Sequence, residues 1–232
     1  MKLTLRAFAA LLGYPSAELQ EHIGEVEESI RSERQLTRAD RRRLEPLLEG
    51  FRTADLLDLQ SAYSELFDRS RSLSLHLFEH VHGDSRERGQ AMIDLGEQYL
   101  ASGFFLDSGE LPDFVPVFLE YASCLPLNDA REMLGQPAHV FVALAERLDK
   151  RGSPYAGLFH GLVSLAGCKP DAGAVAGVDQ NTPATDPEDI DQEWEEAPVS
   201  FSAGSAHDMG GPTGVVAKIR ASNRPVNREQ KA

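Results

Sequence analysis

Apolar residues recur three and four positions apart through most of the first 166 residues, and this spacing restricts the possible folds more than any other feature. Leu59, Tyr63, Leu66 and Phe67 are one example, since all four fall on one face of a helix with 3.6 residues per turn. Similar stripes follow one another along the chain. The pattern predicts a bundle of amphipathic helices.

One stretch follows the period of a strand instead. Leu73, Leu75 and Leu77 alternate with polar residues, and no other segment offers a convincing alternation with which such a strand could pair. We therefore expect an extended or partly helical connection whose leucines pack on the bundle. The predicted fold class is all-α, with a single helical bundle domain.

Local signals place several helix ends. Gly13 is expected to end the first helix, Ser16 to cap the second, and residues 37–40 to form a capping box with Asp in place of the usual Glu. Pro46 interrupts the helix that follows and is expected to kink or shorten it, because proline removes a backbone donor and clashes with the preceding turn.

Two further helices are predicted from their caps. Asp84 is expected to cap a helix that ends at Gly103, and Asp113 to cap the next one. Gly89 and Gly96 lie two turns apart on one side of the first of these helices. Close packing against another helix is the simpler explanation for the two glycines, and close approach of a bound peptide is the alternative.

The composition changes after residue 167. Pro, Gly, Asp and Thr become frequent, and residues 186–196 carry seven acidic residues and no basic one. Such a segment cannot bury enough apolar surface to offset its ordering entropy. We expect a helical domain over residues 1–167 and an acidic, largely disordered tail over residues 168–232.

Charge and cysteine content exclude several classes of partner. The chain has 23 Lys and Arg against 37 Asp and Glu, a formal net charge of -14, so phosphate backbones and anionic lipids would repel it. Two distant cysteines indicate a reducing compartment.

The first residues are expected to form an amphipathic helix and not a cleaved signal, and no apolar run is long enough to span a membrane. We expect a soluble cytoplasmic protein.

Three histidines suggest a metal site, and a metal-dependent hydrolase is the alternative function that they support. His76, His80 and His82 have Glu79 and Asp84 close by in the sequence. On a continuous helix, however, His82 would project away from the other two, and the spacing is not that of a common zinc motif. We expect structural or partner-contacting histidines, with no metal and no cofactor.

Other catalytic arrangements are missing from the sequence. There is no glycine-rich phosphate loop and no GxSxG turn. Glu110, Asp113 and Glu120 could form an acid and base pair, but Asp113 is better explained as a helix cap. The sequence predicts a protein that is not an enzyme.

Two motifs carry a resemblance to a known family. They are LFDRSRSLSLHLFEHVHGDSRERGQAM at residues 66–92 and ELPDFVPVFLEYAS at residues 110–123. Together they resemble the NarJ-type nitrate reductase assembly chaperones of the wider TorD-like group. The likeness extends over roughly residues 1–166, and the acidic segment before Pro198 is also similar to the tail of that family.

The resemblance implies an all-helical chaperone that binds the apo catalytic (alpha) subunit of respiratory nitrate reductase, partly through its N-terminal segment. It would hold this client until molybdenum cofactor and iron–sulfur clusters are inserted and the complex docks on its membrane anchor. The chaperone would be absent from the mature enzyme; a permanent structural subunit is a further alternative. The motif positions implied to bind the client peptide, or to support the groove that does, are Asp68, Arg69, His76, Glu79, His80, His82, Asp84, Arg86, Glu110, Pro112, Asp113 and Glu120.

Overall fold

The computed structural model describes residues 1–83, 85–106, 109–168, 170 and 172–181, all within one compact unit of the chain. These residues form helices and no β-strand, which confirms the predicted all-α fold class. The helices are α1 (Lys2–Leu12), α2 (Ala17–Glu21), α3 (Ile23–Ser32), α4 (Arg38–Thr53), α5 (Leu56–Phe67), a 3₁₀ turn (Arg71–Leu73), α6 (Leu77–His82), α7 (Glu87–Ala101), α8 (Val115–Cys124), α9 (Leu127–Gly135), α10 (Ala138–Lys150), α11 (Ala156–Ala166) and α12 (Ala172–Asn181).

Helix α11 lies at the centre of the bundle, against α4, α9 and α10, while α1 packs along α8. Two of its glycines allow this. A Cβ on Gly157 would lie 2.5 Å from the Arg43 carbonyl oxygen of α4, and a Cβ on Gly161 would lie 2.8 Å from the Phe8 ring of α1. Phe8 of α1, Phe141 of α10 and Phe159 of α11 itself are all fully buried. The contact with α4 is therefore a backbone contact that a larger residue would break.

The predicted caps at the start of the chain are confirmed. The Ser16 side chain accepts the Leu19 N–H at the start of α2. Thr37 and Asp40 form both hydrogen bonds of a capping box, and the buried Asp40 carboxylate also accepts the Ser164 hydroxyl of α11. Gly13 ends α1, but in extended backbone with φ of -74° and not in the left-handed region.

Two expectations about helix continuity are only partly met. The second helix, which begins after Ser16, is not continuous: it is divided at His22 into α2 and α3. Helix α4 runs from Arg38 to Thr53 through Pro46, so the proline does not shorten it. Pro46 and Arg42 are exposed, and water can therefore satisfy the Arg42 carbonyl that loses its helical partner.

The connection before α6 is partly helical and partly extended, and its leucines pack on the bundle, as predicted. A short 3₁₀ turn is followed by extended residues, and Leu73, Leu75 and Leu77 are at most 3% exposed. Their alternation therefore reflects a buried connector and not a strand of a sheet.

Helix α7 does not begin where its predicted cap lies. Its N-cap position is Arg86, without a side-chain cap, so the expectation that Asp84 caps α7 is wrong in register; Asp84 itself lies outside the described residues. The other end is confirmed, because α7 stops at Ala101 and Gly103 follows with φ of 76°, a conformation that favours glycine.

Helix α12 was not expected from the sequence. It lies within the segment for which we predict a largely disordered tail, and it packs against α10 and α6. Residues 182–232, including the acidic run, lie outside the described residues, and the division at residue 167 stays a prediction. None of the described helices is both long and apolar enough to cross a membrane.

Two glycine substitutions test this packing. Gly157→Ala should lower the free energy of unfolding by about 1–3 kcal/mol, because the added methyl group overpacks the contact between α11 and α4. Gly50→Ala, inside α4 with no atom within 4 Å of the new Cβ, should raise it by up to about 1 kcal/mol. Urea denaturation of both variants measures the difference, and equal effects at the two sites would contradict the packing described here.

Candidate functional site

The two sequence motifs meet directly in the structure. His76 and Phe114 form an antiparallel β-bridge, in which the Val115 N–H donates to the Leu75 carbonyl at 2.8 Å and the Leu77 N–H donates to the Asp113 carbonyl at 3.0 Å. The two motifs are thus hydrogen-bonded to each other, and this junction fixes the start of α6.

The Asp113 carboxylate lies at the centre of the junction and is fully buried. One oxygen accepts the Phe78 N–H at 3.2 Å, and the other lies 3.2 Å from Nδ1 of His76. Phe78 is in the first turn of α6, whose own N-cap residue makes no side-chain cap. Asp113 therefore caps α6 from a distant part of the chain. The expectation that it caps α8 is wrong, since Phe114 occupies that position.

Two of the three histidines have shifted pKa values of opposite sign. The hydrogen bond from His76 to Asp113 raises the pKa of His76 above its ordinary value. Burial lowers the pKa of His80, which is 1% exposed. Nε2 of His80 donates to the Ser74 carbonyl at 2.8 Å, so its buried Nδ1 carries no proton in the neutral ring.

The histidines do not form a metal site. His82 is partly exposed and places its ring edge against Phe78, while His76 and His80 bond to different partners. Within the described ranges no group of three or more His, Cys, Asp or Glu side chains could hold a metal ion.

Other motif residues divide into bonded and free side chains. Glu79 pairs with Arg88 at 3.0 Å, and the Pro112 carbonyl accepts the Tyr99 hydroxyl at 2.9 Å. Five side chains are exposed and make no hydrogen bond or ion pair with another described residue: Asp68, Arg69, Arg86, Glu110 and Glu120. Sequence reasoning grouped all of these residues together, because it could not tell supporting side chains from available ones.

An apolar cavity beside α6 was missed by the sequence analysis. Its volume is about 200 Å³, and it is lined by Leu77, Phe78, Val81, Leu95, Phe118, Met133, Gln136, Pro137 and His139. These residues belong to α6, α7, α8 and α9, to the junction between α9 and α10, and to the start of α10. Helical spacing predicts which residues face the interior of the bundle. It does not show whether that interior is filled or contains a cavity.

A stripe of α7, the helix that contributes Leu95 to the cavity lining, is open to solvent. Gly89, Ile93, Gly96 and Leu100 fall on one face, and the two large residues are 56% and 58% exposed. A Cβ on either glycine would meet no atom within 4 Å. Close packing of α7 against another described helix is therefore the wrong explanation for the glycines. We call these four residues the open stripe of α7.

Comparison with known proteins places the chain in a family. Residues 33–161 match the family model described as nitrate reductase delta subunit. The chain belongs to this family. NarJ of Escherichia coli K12, a nitrate reductase molybdenum cofactor assembly chaperone, is 45% identical over 194 residues, which are 83% of this chain and 82% of NarJ.

Further relatives agree with the family assignment. NarW of the same strain, named a probable nitrate reductase molybdenum cofactor assembly chaperone, is 38% identical over 85% of this chain and 83% of its own length. A crystal structure of a candidate redox enzyme maturation protein from Archaeoglobus fulgidus matches the fold, with a TM-score of 0.51 and 20% identity over 72% of this chain and 94% of its own. NarJ and NarW are both named assembly chaperones; the protein is not an enzyme, and the hydrolase alternative is not supported.

Replacing Asp113 by Asn tests the junction. Asn keeps an acceptor for the Phe78 N–H but removes the charge beside His76, and we expect the free energy of unfolding to fall by about 1–2 kcal/mol. The raised pKa of His76 contributes stability that is fully present below the unfolded-state pKa of 6.5. The loss should therefore be largest there and should shrink as the pH rises through the pKa of folded His76.

Asp149→Asn provides the matched control, because Asp149 bonds to His160 at 2.8 Å in another His–Asp pair that is partly exposed. Its effect should stay below about 0.5 kcal/mol. Chemical denaturation of both variants across neutral pH makes the comparison. A loss at Asp113 that is no larger than the control, or that does not grow towards acid pH, would contradict the assigned role.

Proposed function

We propose that the protein binds the apo catalytic (alpha) subunit of nitrate reductase, partly through the N-terminal segment of that subunit. It holds this client competent for insertion of molybdenum cofactor and iron–sulfur clusters and for membrane docking, acts in the cytoplasm, and leaves before the enzyme is mature. The similarity to NarJ over 83% of the chain supports the client. The open apolar surface around α6 and α7 supports binding as the mode of action.

The cavity and the open stripe of α7 together fit an amphipathic client helix. The cavity can accept one or two apolar side chains, while Ile93 and Leu100 offer apolar contacts along α7. Gly96 lies between these two residues and Gly89 precedes them; both present bare backbone, so the axis of a second helix can approach closely. A helix that buries its apolar face here would remove exposed apolar surface from both partners.

Charge around the open stripe favours a basic partner. Asp94 and Glu97 are exposed on the flank of the stripe, and Glu87 is exposed at the start of α7. The chain as a whole carries a net charge of -14. We infer that the client helix carries Lys or Arg beside its apolar face, and that salt slows its association.

The motif residues have separate roles in this proposal. His80 and Asp113 are buried and hold α6 in place, so they support the cavity wall and do not form its surface. Asp68, Arg69, Arg86, Glu110 and Glu120 remain candidates for polar contacts with the client, since their side chains are exposed. Asp84 lies outside the described residues, and its role stays a prediction.

Substitutions of the stripe glycines test the proposed surface. Gly89→Ala together with Gly96→Ala should stabilise the protein by up to about 1 kcal/mol per site, because alanine favours a helix. The same change should weaken binding of a peptide from the N-terminus of the catalytic subunit by about 1–2 kcal/mol, because the methyl groups prevent close approach. Calorimetric titration measures the affinity. Gly50→Ala is the control, which should stabilise the protein without changing affinity.

A second pair of variants separates the surface from the function. Ile93→Asp should abolish most of the binding, whereas Leu57→Asp, at a leucine of α5 that is 73% exposed, should leave it unchanged. If the wild-type protein binds no peptide and no apo catalytic subunit co-purifies with it, the proposed function is wrong. If it binds both and neither the glycine variants nor Ile93→Asp weakens binding, only the proposed surface is wrong. Presence of the chain in the mature enzyme would favour the structural-subunit alternative.

A further inference from the structure

Helix α12 follows the segment that matches the family model. It lies against α10 and α6. Val178 is 3% exposed and is the only buried side chain among those described in α12, whereas Gly173, Ala174 and Ala176 are exposed. Val178 is therefore an apolar anchor of the helix.

Arg147 of α10 ties this anchor to the connector that leads into α6. Its guanidinium donates to the Ser72 carbonyl at 2.7 Å and to the Val178 carbonyl at 3.4 Å. Ser72 lies in the 3₁₀ turn, just before the residues of the β-bridge. The docked position of α12 is thus linked through one side chain to the segment that positions α6.

Helix α12 depends on docking for its structure. It has ten residues, of which Gly173 and Gly177 each disfavour a helix by about 1 kcal/mol relative to alanine. Isolated helices shorter than about 12–15 residues are marginal in water even with good helix formers. Its helical state is therefore coupled to its contacts with α10 and α6.

Helix α6 needs support for the same reason, since it has only six residues. Leu77, Phe78 and Val81 project from it into the cavity, while α10 and α12 pack against it. The described residues that line the cavity include none from α12. Helix α12 thus lies outside the cavity and contacts the helix that forms its wall.

We propose that α12 is a brace for the client-binding cavity: when it docks, it holds α6 in the position at which Leu77, Phe78 and Val81 form the cavity wall. This inference rests on the proposed function for its effect on the client, but not for its effect on α6. Since docking of α12 and binding of the client both require the same position of α6, each strengthens the other.

The test compares two substitutions in the full chain. Val178→Asp places a carboxylate at a buried position near the end of α12, and Ala176→Asp places one at an exposed position nearby. Val178→Asp should speed amide exchange in residues 77–82 and 172–181 and weaken client-peptide binding about fivefold or more. Ala176→Asp should leave exchange in α6 and the affinity unchanged. In the wild type, the peptide should slow exchange in residues 172–181.

Three results would overturn the brace. These are an unchanged exchange rate of α6 in Val178→Asp, a higher affinity in that variant, or faster exchange of residues 172–181 when the peptide binds. The last two would make α12 a competitor of the client. If Val178→Asp also speeds exchange throughout α1 and α11, Val178→Ala replaces it with the same readouts. If the wild type binds no peptide, the proposed function fails, and the exchange of α6 still decides whether α12 supports it.

Discussion

The buried Asp113 carboxylate is the interaction on which the functional half of the structure depends. It caps the first turn of α6 and bonds to His76, so that one side chain joins two motifs that are 37 positions apart. A six-residue helix has little stability of its own, and a capped N-terminus with a buried partner is what allows it to persist. The cavity wall formed by α6 follows from this contact, and α7 contributes Leu95 to the same lining.

The helical periodicity was sufficient to predict the fold class and most of the helices. Local hydrogen bonds such as those of Ser16 and of Thr37 with Asp40 could also be predicted, because cap and partner are three residues apart. Asp113 was assigned to the wrong helix because the group that it caps is distant in the sequence. A carboxylate before a helix satisfies the same local rule whether it caps that helix or one elsewhere, and only the packing decides between them.

The candidate site was harder to predict because sequence patterns do not report what is left unfilled. Leu77 was expected to pack on the bundle, although it lines a cavity of about 200 Å³. The two glycines of α7 were noticed, but only the structure shows that no described neighbour approaches them. The histidines attracted attention for their chemistry, but only the structure shows that His80 is buried and that His76 pairs with Asp113.

The central claim is that a client helix docks on the open stripe of α7 and in the cavity that α7 helps to line. The most direct measurement is a methyl NMR titration of the full chain with the N-terminal peptide of the nitrate reductase catalytic subunit. The account predicts that the methyl resonances of Ile93, Leu95 and Leu100 shift on binding while that of the exposed Leu57 does not. A peptide that binds and shifts only methyl groups remote from α6 and α7 would contradict it.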